Sequence, residues 1–314
     1  MGKLRYTTFG FGPRLSAALV LGCLLLTLGC AQLVASAGAT FKGRPGLIAF
    51  DDTPAYSCGR TSSVYVARPD MSHRRFLSYG SEPAFSPDGQ RLIFSRDCED
   101  HLGIWEVNVD GTALHLLIPP TPTRVTSPTF SPDGRRIAFL RKSPGGGTFD
   151  LWTAKSNGGG ERQLTASPGL EWTPVWSPNG RYILFLREGV IYTIRPDGSH
   201  ERRLGRGHQA DISPDGHWIV FARPSGFERN DFKYRLALMR PSGKVVREFA
   251  GVDPLHGQIE SAVFSPDGGS ILYVREPLDG EFGDVWSVRV DGSRNHRVRR
   301  TPGPGEHSLD WQAR

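Results

Sequence analysis

The sequence lacks the patterns of helical proteins and of the common enzyme classes. After residue 39 no apolar pattern follows the 3.6-residue period of an amphipathic helix. No Gly-x-Ser-x-Gly elbow, His-Glu-x-x-His pair, phosphate-binding loop or dinucleotide fingerprint occurs. These absences exclude a mainly helical fold and leave catalysis without a recognisable motif. We therefore predict a protein that is not an enzyme and needs no cofactor.

The sequence also has little net charge once its first residues are set aside. The formal charge of +6 includes Lys3, Arg5 and Arg14, so about +3 remains, mostly as scattered arginine. A nucleic-acid-binding protein would need a basic stripe with interleaved aromatic residues. The densest basic segment, Arg294 to Arg300, reads better as a solvated edge strand, because charged edges discourage strand addition. We expect no nucleic-acid partner.

Residues 1–39 are predicted to be a signal peptide or membrane anchor. A basic start without acids precedes the apolar run Leu15 to Leu28, which is typical of a secretory signal. Every outcome of its processing places residues 40–314 outside the cytoplasm, in the periplasm or at the cell surface. The open alternatives are cleavage after Ala35-Ser36-Ala37, a lipid on Cys30 in the lipobox-like Thr27-Leu28-Gly29-Cys30, and retention of Leu15 to Ala39 as an anchor.

Cysteine is scarce, and two of the four cysteines, Cys23 and Cys30, belong to this leader. Cys58 and Cys98 remain in the exported part. An exported chain with two remaining thiols favours one disulfide between them. The alternative is two unpaired thiols in loops.

Glycine and proline, in contrast, make up about a fifth of the chain and interrupt it at short intervals, which favours an all-β fold. The stretch Phe-Ser-Pro-Asp-Gly begins at Phe85, Phe130 and Phe264, and near copies begin at Trp176 and Ile212. Proline, aspartate and glycine together form a tight turn between two strands.

Each copy is followed by an apolar triplet, then by a third strand ending in a turn, then by a short fourth strand. The triplets are Leu92-Ile93-Phe94, Ile137-Ala138-Phe139, Ile183-Leu184-Phe185, Ile219-Val220-Phe221 and Ile271-Leu272-Tyr273, with Ile48-Ala49-Phe50 as a sixth. Four strands repeated six times predict a six-bladed β-propeller of four-stranded antiparallel blades over residues 40–314. Asp88, Asp133, Asp215 and Asp267 are then scaffold residues of the turns and not catalytic groups.

The two ends of the chain predict how the ring closes. The first blade has no Phe-Ser-Pro-Asp-Gly before it, whereas Ser308-Leu309-Asp310-Trp311 has no blade after it. Trp311 takes the place of Phe264 one repeat later. We expect this terminal strand to become the innermost strand of blade 1 and to remove the free sheet edges.

The repeat resembles the WD40-like repeat (PD40) of the TolB-like β-propeller family, from Arg44 to the C-terminus. The resemblance implies a binding propeller of the cell envelope. Complete TolB proteins carry an α/β domain before the propeller and act with the Tol-Pal system. This propeller begins close to the leader, so we expect a TolB-like propeller without that domain.

Binding is expected on one face of the disc. The tight turns share one side, and the loops between second and third strands share the other, where loop length varies. These loops are Asp51 to Ser62, Asp97 to Gly103, Lys142 to Phe149, Pro224 to Tyr234 and Glu276 to Asp284. We expect an envelope protein or a glycan to bind this loop-bearing face, with the membrane contacting the N-terminal segment only and the protein remaining a monomer.

Four candidate binding residues stand at the expected mouth of the central channel, four positions before the motif aromatic. They are Trp172, His208, Glu260 and His307, and the corresponding positions of blades 2 and 3 are Ser81 and Thr126. Two imidazoles and a carboxylate on consecutive blades suit zinc or another transition metal, whereas a polar, hydrated channel mouth without metal is the simpler interpretation. A metal-dependent polysaccharide lyase on a related propeller is the enzyme alternative, and we predict no metal.

A series of arginines follows the second strands. An arginine ring of this kind would bind an acidic peptide or an anionic glycan. Alternatively, each stem lies between blades and its guanidinium pairs with an acid such as Asp150 or Asp284. The series is Arg96, Arg141, Arg187, Arg223 and Arg275, with Asp52 interrupting it in blade 1.

Overall fold

Six four-stranded antiparallel sheets make up the computed structural model, which describes residues 41–52, 62–96, 102–228, 231–249, 257–277, 284–299 and 308–313. The all-β class and the count of six blades are confirmed. From the innermost strand outwards, blade 1 consists of β24 (Asp310–Ala313), β1 (Pro45–Asp51), β2 (Ser63–Ala67) and β3 (Arg75–Tyr79). Blade 2 consists of β4 (Ser81–Phe85), β5 (Arg91–Arg96), β6 (Gly103–Asn108) and β7 (His115–Ile118); blade 3 of β8 (Val125–Phe130), β9 (Arg136–Lys142), β10 (Phe149–Lys155) and β11 (Arg162–Gln163); blade 4 of β12 (Glu171–Trp176), β13 (Ile183–Arg187), β14 (Val190–Ile194) and β15 (Arg202–Arg206); blade 5 of β16 (His208–Ile212), β17 (Ile219–Glu228), β18 (Asp231–Met239) and β19 (Val245–Glu248); blade 6 of β20 (Gly257–Phe264), β21 (Ser270–Pro277), β22 (Asp284–Arg289) and β23 (His296–Arg299).

The repeated turn closes the hairpin between first and second strands as predicted. In blade 2 the Gly89 amide donates to the Ser86 carbonyl at 2.8 Å, and Gly89 has a left-handed φ of 66°. The Asp88 carboxylate accepts hydrogen bonds from the Ser86 hydroxyl and the Gln90 amide. The aspartate side chain therefore stabilises its own turn, which explains why the motif recurs at the same place in each repeat.

The apolar triplets of the second strands form the core. Ile93 and Phe94, Ala138 and Phe139, and their counterparts in the other blades are fully buried. A strand covered on both faces by neighbouring blades needs apolar side chains pointing both ways, so a continuous apolar run is the expected sequence. The fold therefore has its hydrophobic core between the blades.

Arginines of the outermost strands join neighbouring blades, a feature that the sequence did not reveal. The Arg75 guanidinium of blade 1 donates to the Val109 carbonyl in the third-to-fourth-strand turn of blade 2. Three further seams repeat this contact: Arg162 with Asp197 at 2.7 Å, Arg202 with Pro241 at 2.6 Å, and Arg247 with Val290 at 3.3 Å.

The terminal strand closes the ring, as predicted. Strand β24 pairs antiparallel with β1, with Ile48 opposite Trp311. The buried Gln312 side chain reinforces the closure, because it accepts a hydrogen bond from the Leu47 amide at 2.8 Å and donates to the Gly89 carbonyl at 2.6 Å. Blade 1 is thereby linked to the first turn of blade 2.

Blade 1 differs from the others at its third-to-fourth-strand turn. Met71 stands at the position that other blades fill with glycine, and it has a left-handed φ of 60°. Its side chain is fully buried in the cluster that joins blades 6 and 1. A non-glycine residue with a left-handed φ has a strained backbone. The packing of Met71 at the seam where the ring closes is therefore offset in part by backbone strain.

One predicted loop is largely regular structure. Between Pro224 and Tyr234 the chain continues as a two-stranded hairpin, in which Phe227 pairs with Phe232 and Glu228 with Asp231. The period-2 pattern is weak there, which is why the sequence suggested a loop. Across the described ranges no helix has the length and apolar character needed to cross a bilayer.

Candidate functional site

The innermost strands share a backbone irregularity at the loop-bearing face. In blades 2 to 5 the second residue of the innermost strand, or its counterpart, has a left-handed φ between 44° and 56°: Glu82, Ser127, Thr173 and Gln209. Thr173 and Gln209 directly follow the predicted channel-mouth residues Trp172 and His208. The pairing with the second strand shifts register at the same place in blades 2 to 5. Such β-bulges redirect side chains and are common near binding sites. The bulge thus determines which side chains reach the mouth of the ring.

His208 and Trp172 are half-buried near the mouth of the ring. The His208 ring meets the Tyr234 ring edge-on, with centroids 5.1 Å apart. It also lies over Gly189, where an added Cβ would come within 3.2 Å of the His208 Cε1 and Nε2 atoms. Burial lowers the pKa of His208, so the imidazole is neutral at pH 7. Trp172 packs against the main hydrophobic cluster.

Two acids on neighbouring blades form a buried network beside this level. The Glu82 carboxylate accepts hydrogen bonds from the Ser95 hydroxyl at 2.9 Å and from the amide and hydroxyl of Ser127 in blade 3 at 2.8 and 2.9 Å. Asp51 of blade 1 accepts from the Glu82 amide at 2.7 Å and the Ser308 amide at 3.0 Å. Burial raises the pKa of Asp51 to about 7, and the charge of Glu82 adds to that shift. The network connects blades 1, 2 and 3.

A second buried pair of carboxylates lies on the innermost strands of blades 5 and 1. Asp211 accepts a hydrogen bond from the Phe264 amide of blade 6 at 2.8 Å, and Asp310 accepts one from the Phe85 amide of blade 2 at 2.6 Å. Burial raises the pKa of Asp310 to about 8, and the negative charge of Asp211 contributes to the shift. Each carboxylate therefore joins its blade to the next one.

Four of the five arginines of the series, Arg96, Arg141, Arg187 and Arg275, lie over aromatic rings of their own blade. The Arg96 guanidinium is 4.2 Å from the Trp105 ring centroid, and it donates to the Ser78 hydroxyl at 2.6 Å and the Tyr79 carbonyl at 3.0 Å. Burial lowers the pKa of Arg96. Arg275 lies 5.5 Å from the Trp286 ring.

Three members of the series form ion pairs with glutamates. Arg187 pairs with both Glu171 and Glu201 at 2.7 Å, and the pairs of the other two are Arg141 with Glu161 and Arg223 with Glu248. Asp150 instead accepts from Ser143 and Gln163, and Asp284 pairs with Arg297. The Arg141 side chain is only 5% exposed, whereas that of Arg223 is 42% exposed. Of these three, Arg223 is the best placed to meet a partner.

A groove of about 310 Å³ runs between blades 4 and 5 beside Arg223. Arg206, at the exposed end of β15, provides a second guanidinium. Pro224 and Val245 supply partly exposed apolar walls, and Phe221 and Met239 are buried beneath them. Val245 follows the tight turn at Gly243, so the groove extends from the loop side towards the turn side of the disc. Two cations over an apolar floor suit a ligand that has both a carboxylate or sulfate group and an apolar ring or side chain.

Several predicted residues lie outside the described part of the structure. These are Cys30, Cys58, Cys98, His307 and the side chain of Glu260. The convergence of His208, Glu260 and His307, the disulfide and the lipid anchor therefore remain predictions. Among the described side chains, no group of three or more His, Cys, Asp or Glu is arranged to hold a metal ion.

Comparisons with known proteins point to one family. A family model described as the TolB beta propeller domain matches residues 59–253 and residues 118–308. TolB from Acinetobacter baumannii is 19% identical with a TM-score of 0.67, over 86% of this chain and 67% of that one. A putative TolB from Agrobacterium tumefaciens is 19% identical with a TM-score of 0.61, over 86% and 99%. An oligogalacturonate lyase in complex with manganese is 12% identical with a TM-score of 0.56, over 85% and 78%. No curated protein sequence matches the chain.

Proposed function

The chain belongs to the TolB β-propeller domain family, and from that premise we propose that it is an exported, non-catalytic scaffold that binds a protein or carbohydrate through its loop-bearing face. The loop-side end of the groove carries the proposal, because Arg206 and Arg223 lie there beside the apolar ring of Pro224. The innermost strands, held by buried carboxylates, give this face a rigid support. A rigid support with variable loops is the usual arrangement of a binding scaffold.

The chemistry of the groove favours an acidic partner. An acidic peptide segment or an anionic glycan would place a carboxylate or sulfate between Arg206 and Arg223. Since Arg223 also pairs with Glu248, the partner would compete with that glutamate for the guanidinium. We therefore propose binding that weakens as the salt concentration rises.

The test compares two charge-reversal variants of the full chain. Arg206→Glu/Arg223→Glu changes the groove, and Arg135→Glu/Arg181→Glu changes the opposite face by the same charge. Each is used to capture partners from the envelope fraction of the source cells and to bind a panel of acidic glycans. The proposal requires a partner that is retained by the control variant and lost by the groove variant. A partner lost equally by both would contradict it.

The alternative is a metal-dependent enzyme that acts on acidic polysaccharide. Its support is the fold shared with the manganese-bound oligogalacturonate lyase and the neutral imidazole of His208, which is the form that binds metals. Metal analysis of the purified protein distinguishes the two functions. The enzyme hypothesis would be favoured over the scaffold if the natural protein held stoichiometric metal and cleaved polygalacturonate, and if His208→Ala lost the metal.

The extracytoplasmic location and the Cys58–Cys98 disulfide belong to the same proposal. The bond would link loops of blades 1 and 2, next to the closure of the ring. A disulfide of this kind stabilises by about 3 to 4 kcal/mol by restricting the unfolded chain. Peptide mapping without reductant, together with mass spectrometry of the mature N-terminus, tests both the bond and the fate of Cys30.

A further inference from the structure

A second groove, larger than the one beside Arg223, lies between blades 5 and 6. Its volume is about 580 Å³, compared with about 310 Å³ for the first groove. Both volumes fall within the range of about 300 to 1,000 Å³ that small-molecule sites occupy. Blade 5 contributes its outermost strand, β19, and blade 6 contributes its two tight turns. The side chains that determine its chemistry are Trp218, Val246, Arg247, Asp267, Arg289 and Asp291.

A small residue keeps the second groove open. Gly269 lines it and directly follows the Ser-Pro-Asp-Gly turn of blade 6. The four other copies of this turn, near copies included, are followed by a large polar residue, namely Gln90, Arg135, Arg181 or His217. The atoms nearest to a Cβ added at Gly269 would be those of the Asp267 carboxyl group, at 3.4 to 3.8 Å. The space in front of Gly269 therefore depends on the choice of residue and not on the course of the backbone.

Trp218 forms an aromatic wall of the second groove. Its ring is half-buried, and the Arg240 guanidinium stacks on it, 3.6 Å from the ring centroid. Arg240 also donates to the His217 carbonyl at 3.4 Å, which ties the stack to the first turn of blade 5. Val246, which is 50% exposed, supplies a second apolar wall. A fixed aromatic ring beside an exposed aliphatic side chain favours contact with the apolar face of a ligand ring.

The polar lining of the second groove contains charges of both signs. Asp267 and Asp291 stand among Arg247 and Arg289. Hydrogen bonds from Ser293 lower the pKa of Asp291, and the charges of Arg289 and Arg247 contribute, so this carboxylate is ionised at neutral pH. A purely anionic ligand would meet two carboxylates, and a purely cationic ligand would meet two guanidinium groups. The lining therefore favours a neutral ligand that both donates and accepts hydrogen bonds.

These charged groups have hydrogen-bonding capacity beyond their contacts within the described structure. Asp267 accepts from the Ser265 hydroxyl on Oδ1, and the hydrogen bonds of Asp291 also fall on Oδ1. An ionised carboxylate can accept about four hydrogen bonds. Arg247 donates to the Val290 carbonyl at 3.3 Å through Nη1, one of the three nitrogens of its guanidinium. A ligand can therefore bind these groups without breaking the turns.

From these observations we propose that the second groove binds a neutral saccharide. A pyranose ring has an apolar face of C–H groups, which suits the walls formed by Trp218 and Val246, and a rim of hydroxyl groups. A hydroxyl both donates and accepts, so adjacent hydroxyls can donate to a carboxylate and accept from a guanidinium. The backbone N–H and C=O of a peptide group point in opposite directions, so one peptide group reaches a carboxylate or a guanidinium but not both.

The second groove differs from the groove between blades 4 and 5 in position and in charge. The first is lined by two cations, Arg206 and Arg223, whereas the second has a balanced lining. The saccharide proposal therefore does not depend on the acidic partner proposed for the first groove.

Calorimetric titration of the full chain with neutral tetrasaccharides tests the proposal. The panel consists of tetrasaccharides of glucose, mannose, galactose and N-acetylglucosamine. At least one of them should bind with a Kd of about 1 mM or lower. Because these ligands carry no charge, the Kd should change by less than about twofold between about 0.05 and 0.5 M NaCl. Binding of no member of the panel would overturn the proposal.

Gly269→Gln places the bound ligand in competition with a side chain. This substitution gives blade 6 the residue that follows the turn of blade 2, so the variant should keep its thermal transition. The Kd should rise at least about tenfold. Gly147→Gln is the matched control, because an added Cβ would meet no atom within 4 Å there, in a loop of the other face. Arg289→Ala, at an exposed position, provides a second variant and should raise the Kd at least about threefold.

Further ligands and one further variant complete the test. The Arg206→Glu/Arg223→Glu variant should bind the tetrasaccharide as the natural chain does, and loss of binding there would move the site to the first groove. Equal weakening in Gly269→Gln and Gly147→Gln would also overturn the proposal. So would tighter binding in the second groove of trigalacturonate, an acidic saccharide, or of the neutral peptide Gly-Ser-Tyr-Ser-Gly, judged by its loss in Gly269→Gln.

Discussion

The Asp310 carboxylate accepts a hydrogen bond from the backbone amide of Phe85, 225 residues earlier in the chain, at 2.6 Å. The contact fastens the closing strand of blade 1 to the innermost strand of blade 2. The second oxygen of Asp310 has no hydrogen-bond partner among the described residues. A charge held in this way is costly to bury, and that cost makes the closure sensitive to pH.

The free energy of unfolding should fall as the pH rises from about 4 to about 8. Burial raises the pKa of Asp51 to about 7 and that of Asp310 to about 8 from the usual 3.8. The folded protein therefore binds these protons more tightly than the unfolded chain, so their stabilising effect is present below pH 4 and is lost through pH 7 to 8. Urea denaturation across this range measures the effect, which should amount to several kcal/mol, since one pKa unit corresponds to about 1.4 kcal/mol.

Asp310→Asn should reduce the dependence of the unfolding free energy on pH. The side-chain oxygen of the asparagine still accepts the hydrogen bond from the Phe85 amide, and its neutral NH2 group replaces the carboxylate oxygen that has no partner among the described residues. Asp133→Asn is the control of opposite sign. The Ser131 hydroxyl holds the pKa of Asp133 below its usual value, so its contribution is lost as the pH falls. An unchanged slope in Asp310→Asn would refute the assignment.

Glu171→Ala should destabilise the protein by about 3 to 5 kcal/mol, because the Arg187 guanidinium would lose its buried carboxylate partner. Glu171 is fully buried and accepts hydrogen bonds from the Leu151 amide at 2.9 Å, the Thr165 hydroxyl at 2.6 Å and the Arg187 guanidinium at 2.7 Å. Glu201→Ala removes the other, exposed partner of Arg187 and should cost less than about 1 kcal/mol. Denaturant titration of both variants gives the comparison, and equal losses would contradict it.

A chain that stops after Ser308 should fail to form blade 1. Strand β1 would then lose its pairing with β24, and the Leu47 amide and Gly89 carbonyl would lose the Gln312 side chain. We expect aggregation through the open edge in size-exclusion chromatography and loss of the cooperative thermal transition. The variant that ends at Ala313 is the matched control. Normal unfolding of the shorter chain would show that closure does not depend on β24.

Met71→Gly sets two effects against each other. Glycine relieves a left-handed backbone that costs about 1 to 2 kcal/mol, but it removes a fully buried side chain, which costs about 2 to 5 kcal/mol. The loss of packing should dominate, with a net destabilisation of about 2 kcal/mol. Met71→Leu keeps both strain and volume and should change stability by less than about 1.5 kcal/mol. A glycine variant more stable than the natural protein would reverse the argument.

The blades and their closure could be predicted from the sequence because their determinants are local. Each Ser-Pro-Asp-Gly turn is specified within five residues, and each second strand can be recognised in the sequence as an apolar run. Trp311 occupies the same place in the repeat as Phe264, which is enough to assign the closing strand. No contact between distant residues has to be known for these steps.

The buried carboxylates could not be predicted, because their partners lie on other blades. Asp51, Glu82 and Glu171 bind backbone amides of neighbouring strands whose approach follows only from the closed ring. The only sequence signal is an acid inside an apolar strand, as at Asp310 before Trp311. Similarly, the glutamate partners of the arginine series are set by how far each arginine stem reaches along its blade, which a linear pattern does not contain.

Pairing of β24 with β1 also imposes an order of events on the folding of the newly made chain. Strands β4 to β23 can pair with sequence neighbours as they emerge from the ribosome. Blade 1 has to wait, since its innermost strand is made after every other strand of the ring. Until then the three earlier strands of blade 1 present an unpaired edge that a chaperone would need to cover. The ring closes only when β24 pairs with β1, which is the last step of folding.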